Sequence, residues 1–264
     1  MFLIFLLPCA QSQDTLALVK EITIAVPNVK DVDLDPLGNI YVITSLGAIE
    51  KYDATGSKRT VFTQNRLGYP AAIFARNAQK IIAWYPEFKT IVLLDRNLVQ
   101  LGGTLNLIEK GFPNAVVLSP SVDGHIWLYD EVRFKLLKMS PEGIVLFESQ
   151  GLDLLLQRGV SLISLVDNGQ HVIAHDPAIG LLFFDLFGQY KRQKSVANAI
   201  VQLYSSDARL RWIDTLDRFF EMDIEFPFAE KSWCLPKVLE GVNKKITPTG
   251  FVTWDREGIQ VWKR

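Results

Sequence analysis

The 264-residue sequence predicts an all-β fold made of six repeated four-stranded antiparallel units. Three observations carry that expectation. An apolar-aromatic run recurs at near-constant spacing, turn chemistry precedes each run, and no long stretch shows the 3.6-residue periodicity of a helix. The runs are Ile40–Ile43, Ile81–Trp84, Ile126–Tyr129, Val172–His175, Leu210–Ile213 and Phe251–Trp254, and their first residues lie 41, 45, 46, 38 and 41 positions apart. A period of about 42 falls within the range of propeller blades.

Each unit can be justified in order along the chain. An upstream strand precedes the repeated run, as in Val29–Leu34, Ala115–Leu118, Leu162–Leu165 and Ile200–Leu203. A tight-turn cluster then leads into the run, as in Asp35-Pro-Leu-Gly38, Asp123-Gly124 and Asp167-Asn-Gly169. Asp and Asn bond their own backbone there, and Gly supplies positive φ without a steric cost. A second apolar run follows, for example Thr90–Leu94 and Leu181–Phe184, close enough to form an antiparallel hairpin. Weaker outer strands, such as Arg59–Thr63, Ile144–Phe147 and Tyr190–Val196, complete four strands. The repeated runs are apolar on both faces, as blades packed between two neighbours require, whereas a two-sheet sandwich keeps one face polar. Gly151–Gly159 is the one place where a turn or two of helix is expected.

The sixth unit stops at Arg264, after its third strand, while Leu18–Val26 has no unit of its own. Placing that segment as the outer strand of the last blade closes a six-bladed β-propeller and removes an exposed sheet edge. Residues 13–264 then form one domain. Residues 1–12 read as a signal peptide, a short apolar run ending in small Ala10 and Ser12, with cleavage expected before Gln13. The run is too short to span a bilayer. Cys9 is the one position for membrane association by lipidation, but Pro8 stands where such sites want a small residue. The chain is therefore expected in the periplasm or secreted.

Composition narrows the chemistry. Hydrophobic residues make up 48% of the chain, and 28 basic side chains balance 29 acidic ones, so no global field attracts nucleic acid. Two cysteines and three histidines leave little for a disulfide framework or a zinc site. His171 and His175, four apart on one strand, cannot form a tetrahedral site by themselves. No nucleophile elbow, phosphate-cradling loop or His-Glu-x-x-His motif is present.

The phrases Asp-Pro-Leu-Gly38-Asn-Ile-Tyr-Val and Asp-Gly124-His-Ile-Trp-Leu-Tyr give the chain a resemblance to the NHL-like and TolB-like six-bladed propellers. The resemblance covers about one turn and strand per blade and implies architecture. It does not name an activity, because that fold hosts lyases, lactonases and docking modules.

Candidate site residues follow from the repeat. Loops between second and third strands share one face of a propeller with the interblade loops. Asp130, Asp176, Asp214 and Asp255 fall in one column of that face, as an acidic ring for a basic partner or Ca²⁺, or as turn formers. Gly68-Tyr69-Pro70 and Gly111-Phe112-Pro113 recur 43 residues apart, and Leu154, Leu155 and Leu156 lie in the longest interblade loop. Apolar residues clustered there suit a protein partner. The leading expectation is a non-catalytic protein-binding scaffold of the bacterial cell envelope, an accessory part of outer-membrane or secretion machinery, with no catalytic residues, metal ligands or cofactor. The alternatives are a metal-dependent lactonase-like hydrolase or lyase, and a carbohydrate-binding module using exposed Trp or Tyr.

Overall fold

The computed structural model describes residues 14–206, 208–225 and 229–264. The signal-peptide reading of residues 1–12, Cys9 included, lies outside them. The chain runs through β1 (Val19–Ile24) and then six sheets. Blade 1 contains β2 (Val29–Leu34), β3 (Ile40–Thr44), β4 (Ile49–Tyr52) and β5 (Lys58–Phe62). Blade 2 contains β6 (Ala72–Phe74), β7 (Ile81–Tyr85), β8 (Thr90–Leu94) and β9 (Leu105–Asn106). Blade 3 has β10 (Ala115–Pro120), β11 (Ile126–Asp130), β12 (Lys135–Met139) and β13 (Val145–Glu148), followed by the single-turn helix α1 (Leu152–Leu156). Blade 4 has β14 (Ser164–Asp167), β15 (Val172–Asp176), β16 (Gly180–Phe184) and β17 (Tyr190–Lys194). Blade 5 has β18 (Ile200–Ser206), β19 (Arg209–Asp214), β20 (Arg218–Asp223) and β21 (Lys231–Cys234). Blade 6 has β22 (Asn243–Ile246), β23 (Gly250–Trp254) and β24 (Ile259–Lys263).

Every sheet is antiparallel in chain order except the last, whose order is β1-β24-β23-β22. The strand from the start of the domain therefore completes blade 6, with Ile24 opposite Ile259 and Val19 opposite Lys263. Just before β1, the backbone of Asp14–Leu16 adds to the edge of blade 5. Leu16 N–H donates to the Cys234 carbonyl at 3.0 Å, and Cys234 N–H donates to the Asp14 carbonyl at 3.1 Å. The ring is thus fastened across two blades.

The second and third strands are buried along nearly their whole length in blades 2, 3 and 4, on both faces. Core residues accordingly form clusters between neighbouring blades. Trp127 and Tyr129 of blade 3 pack with Val172, Leu182 and Phe184 of blade 4, and Phe219 of blade 5 packs with Phe251 and Trp262 of blade 6. At roughly 25 cal/mol per Å² of apolar surface, those interfaces are the main stabilising term of the ring.

The inner strands surround a central cavity of ≈ 400 Å³. Two aspartates of β2 tie blade 1 to blade 2, with Asp31 accepting from Ile73 N–H at 3.1 Å and Asp33 accepting from Ala75 N–H at 2.7 Å. Lys245 of blade 6 reaches Asp31 at 2.7 Å, so blade 1 is bonded on both sides. Arg76 crosses from blade 2 to the backbone carbonyl of Asp167 in blade 4.

Candidate functional site

The candidate site is the end of the ring formed by the turns between second and third strands together with the interblade loops. The four column aspartates each end a second strand or directly follow one. Asp130, Asp176 and Asp214 are almost fully buried, at 1–2% exposure, and Asp255 is half-buried. Their carboxylates turn back onto their own loops. Oδ1 accepts from the N–H two residues on in all four: Val132 (3.1 Å), Ala178 (2.7 Å), Leu216 (2.9 Å) and Glu257 (2.8 Å). A second loop N–H follows in each case, from Arg133, Ile179, Arg218 and Gly258. Asp176 also accepts from Ser161 N–H at 2.6 Å, and Asp214 holds the Arg218 guanidinium and the Asn198 amide.

These are Asx turns, in which a short carboxylate replaces the backbone acceptor that the loop lacks. The expected acidic ring is therefore not an open surface. Its acids are covered, and they hold the turns. Among the described residues, no three His, Cys, Asp or Glu side chains form a group able to hold a metal ion.

In blades 1, 3 and 5 the turns also present an exposed apolar side chain, whereas blade 6 has Glu257 at the same position. With the Asp side chain bonded to the N–H two positions later, the residue at that position projects away from the blade. Val132 is 63% exposed and Leu216 64%. Blade 1 has Thr44 at the column position, and its hydroxyl accepts from Ala48 N–H while Leu46 reaches 85% exposure. Blade 2 has Tyr85 there, buried with an unpartnered hydroxyl whose pKa burial pushes up to about 12, and its loop presents Phe88. The sequence holds the signal for these side chains, an apolar residue two positions after the strand-ending Asp or Thr, but it becomes meaningful only once the Asx turn is seen.

The interblade loops extend the same end. Tyr69 is 57% exposed, its ring laid against Gly47 and approached by the Lys30 ammonium at 5.6 Å. A Cβ at Gly47 would come within 2.8 Å of the Tyr69 ring, and φ there is +82°, so both the contact and the turn call for glycine. Leu154 on α1 is 81% exposed and Leu155 is also exposed, whereas Leu156 turns inward against Trp127, Leu152 and their neighbours.

Phe112 departs from the expectation. It is buried at 7% in the core between blades 2 and 3, beside Trp84 and Leu107, with the Arg133 guanidinium over its ring at 5.1 Å. The cause is the two-residue outer strand β9. The chain leaves the blade early, folds back, and pins Phe112 N–H to the Leu107 carbonyl at 2.7 Å. Phe112 is packing and not part of a surface.

The tryptophans and His175 belong to the blades, while Phe88, Phe147 and Phe187 are exposed. Trp127, Trp212, Trp254 and Trp262 are buried in blades, and no tryptophan of the chain is exposed. Tyr69 remains as an exposed ring of the kind a carbohydrate module would use. His175 is fully buried with neither ring nitrogen bonded, and burial lowers its pKa. In the central cavity, burial raises the pKa of Asp33 against the pull of Lys245.

No family model matches the chain, and no curated protein matches it. Solved structures do. A streptogramin B lyase structure aligns with a TM-score of 0.63 at 12% identity, over 94% of this chain and 97% of that one. Virginiamycin B lyase from Staphylococcus aureus aligns at 0.62 and 8% identity, over 93% and 88%. The WD40 domain of Neurospora crassa Pan2 aligns at 0.61 and 12% identity, over 90% and 89%. At such identities the likeness is one of fold. The chain is a six-bladed β-propeller.

Proposed function

We propose that this propeller is a non-catalytic scaffold that docks a protein partner on its loop end. We further propose that it belongs to the NHL-like and TolB-like group and works in the bacterial envelope after export, as an accessory part of outer-membrane or secretion machinery. The observation that carries the docking reading is the apolar crown. Leu46, Tyr69, Val132, Leu154, Leu155 and Leu216 all stand out from loops on one end, and the column carboxylates beneath them are occupied by those loops. Apolar groups held outward on rigid turns lose little conformational entropy on binding, and here they stand among exposed Glu87, Glu131, Arg133 and Glu257, the mixed composition of a protein-binding surface. No helix of the described residues is long and apolar enough to cross a membrane.

The test is affinity capture from the native envelope with partner identification, comparing the unmodified chain with Leu155→Asp and Leu216→Asp. Both charged variants are expected to fold and to lose the partner. A partner retained by both would remove the crown from the account. Expression from Met1, followed by cell fractionation and mass spectrometry of the amino terminus, tests export. Recovery of an uncleaved chain in the cytoplasm would contradict it.

A further inference from the structure

The central cavity has a chemistry of its own, independent of the docking reading. At ≈ 400 Å³ it falls within the roughly 300–1,000 Å³ of small-molecule pockets. Inner strands of all six blades line it. Phe74, Leu118, Leu165, Val166 and Leu203 give it an apolar wall. Its charged groups come from three adjacent blades only: Lys245 of blade 6, Asp31 and Asp33 of blade 1, and Arg76 of blade 2.

Two of these four charges neutralise each other directly. Lys245 Nζ lies 2.7 Å from Asp31 Oδ1 and donates to Oδ2 at 2.8 Å. Among the described residues, Asp33 and Arg76 form no ion pair. Asp33 accepts from Ala75 N–H at 2.7 Å, and Lys245 acts on it only at longer range. Arg76 donates to the backbone carbonyl of Asp167, whose carboxylate is taken by Ser121, Trp127 and Gly169. A guanidinium has five N–H donors, and that contact uses one. Asp33 and Arg76 are both half-buried, and Asp33 holds the N–H of the residue just before Arg76. They also share a neighbour on blade 5. Burial raises the pKa of the Tyr204 hydroxyl, the charge of Arg76 opposes that shift, and the charge of Asp33 adds to it. The four charges sum to zero, so the cavity has no excess of either sign. It offers instead one anionic and one cationic group, each without a charged partner, beside an apolar wall.

We infer that the central cavity is a binding site for a small zwitterion with an apolar body, of the amino-acid class. Its ammonium group would sit on Asp33 and its carboxylate on Arg76, with the Tyr204 hydroxyl beside them. Its apolar part would lie against Phe74, Leu118 and Leu165. A planar guanidinium fits a carboxylate through two parallel hydrogen bonds. A ligand of zero net charge pairs both protein groups at once. A simple acid or a simple amine pairs one and leaves the other half-buried and unpaired, which costs free energy.

The test is calorimetric titration of the purified chain with phenylalanine and leucine at fixed ionic strength. Phenylpropionate and phenethylamine, which keep the ring and one charge each, are the parallel arms. One saturable site per chain is expected, with phenylalanine roughly 10-fold or more tighter than either single-charge probe, the worth of a charge-assisted hydrogen bond. Arg76→Gln should abolish the preference over phenethylamine, and Asp33→Asn the preference over phenylpropionate. Each substitution keeps a polar group for its backbone contact, and an unchanged urea midpoint confirms that the variant folds. Lys58→Ala, which removes an outer-strand pair with Glu50 on blade 1, should leave all affinities unchanged. Absence of saturation by both amino acids, a single-charge probe binding as tightly as phenylalanine, or full preference retained in both cavity variants would overturn the assignment. None of these readings involves partner capture, so the docking reading stands or falls separately.

Discussion

The two ends of the ring come from the same repeat and are finished differently. At the loop end, acidic side chains lie buried beneath turns, and apolar ones such as Leu46, Leu154 and Leu216 stand above them. The opposite end also bears single apolar tips, among them Leu37, Val122 and Ile144. There they stand beside ion pairs and polar bonds, several of them buried on one side. Lys138 bonds Asp123 at 2.5 Å, Lys80 bonds the Gly124 carbonyl, and Arg211 and Arg264 converge on Glu221. The two ends thus differ in where their carboxylates go. At the loop end they cap turns beneath apolar tips and exposed charges such as Glu131 and Glu257. At the opposite end they pair with lysine and arginine side chains. The blade repeat fixes where loops emerge, and the few residues after each strand decide what they present.

That contrast can be attacked first where it is strongest. Asp214→Ala removes the carboxylate that caps its turn and also pairs with Arg218, leaving the guanidinium without its buried partner. It should destabilise the fold by about 3–5 kcal/mol, read as a lower urea midpoint. Asp214→Asn keeps an Asx acceptor and should lose visibly less. If the alanine variant melts like the unmodified chain, the column is not what holds the loop end.

Next come the two Gly-aromatic-Pro loops. Phe112→Asp places a charge in the core between blades 2 and 3 and should cost at least the roughly 3–5 kcal/mol of a large core truncation. Tyr69→Asp, on an exposed ring, should stay within about 0.5 kcal/mol. Equal melting losses would mean that the two rings share one environment after all.

A smaller effect comes from His175. Its pKa lies below the ordinary value of 6.5 because burial disfavours the imidazolium. Above 6.5 both folded and unfolded chains hold it neutral, so it contributes no pH dependence. As pH falls below 6.5 the unfolded chain takes up the proton first, and stability declines by at most about 1.4 kcal/mol per pH unit until the folded-state pKa is reached. His175→Met should flatten that stretch of the stability curve. An unchanged slope would place the acid sensitivity elsewhere.

A modest change is expected within the aspartate column at Asp255, which is half-buried and caps only its own turn. Asp255→Ala should cost about 0.5–2 kcal/mol, the range of a lost side-chain cap, and less than Asp214→Ala under the same conditions.

Much of the architecture was legible in the sequence because its signals are local. The six apolar-aromatic runs are strands β3, β7, β11, β15, β19 and β23, and Leu18–Val26 contains the closing strand β1. The helix expected within Gly151–Gly159 is α1. Outer strands were harder. β9 has two residues and no apolar run to mark it, and the pairing of Asp14–Leu16 with Cys234 joins segments more than two hundred positions apart.

The site was legible only in part, for a related reason. Tyr69 and Phe112 have the same local neighbours, and their burial differs because β9 is short and β5 is not. The four aspartates were visible as a column, but which way a carboxylate turns depends on loop geometry that spacing does not contain. The charge arrangement of the central cavity was invisible, since Asp33, Arg76 and Tyr204 come from inner strands or strand ends of three blades.

The most direct measurement is a paired affinity capture. Leu154→Asp and Leu216→Asp alter the crown, while Leu37→Asp and Ile144→Asp place the same charge at exposed tips of the opposite end. Partner recovery from the native envelope, quantified by mass spectrometry, should collapse for the first pair and persist for the second. Recovery that persists with the crown charged, or fails only when the opposite end is charged, would contradict the central claim.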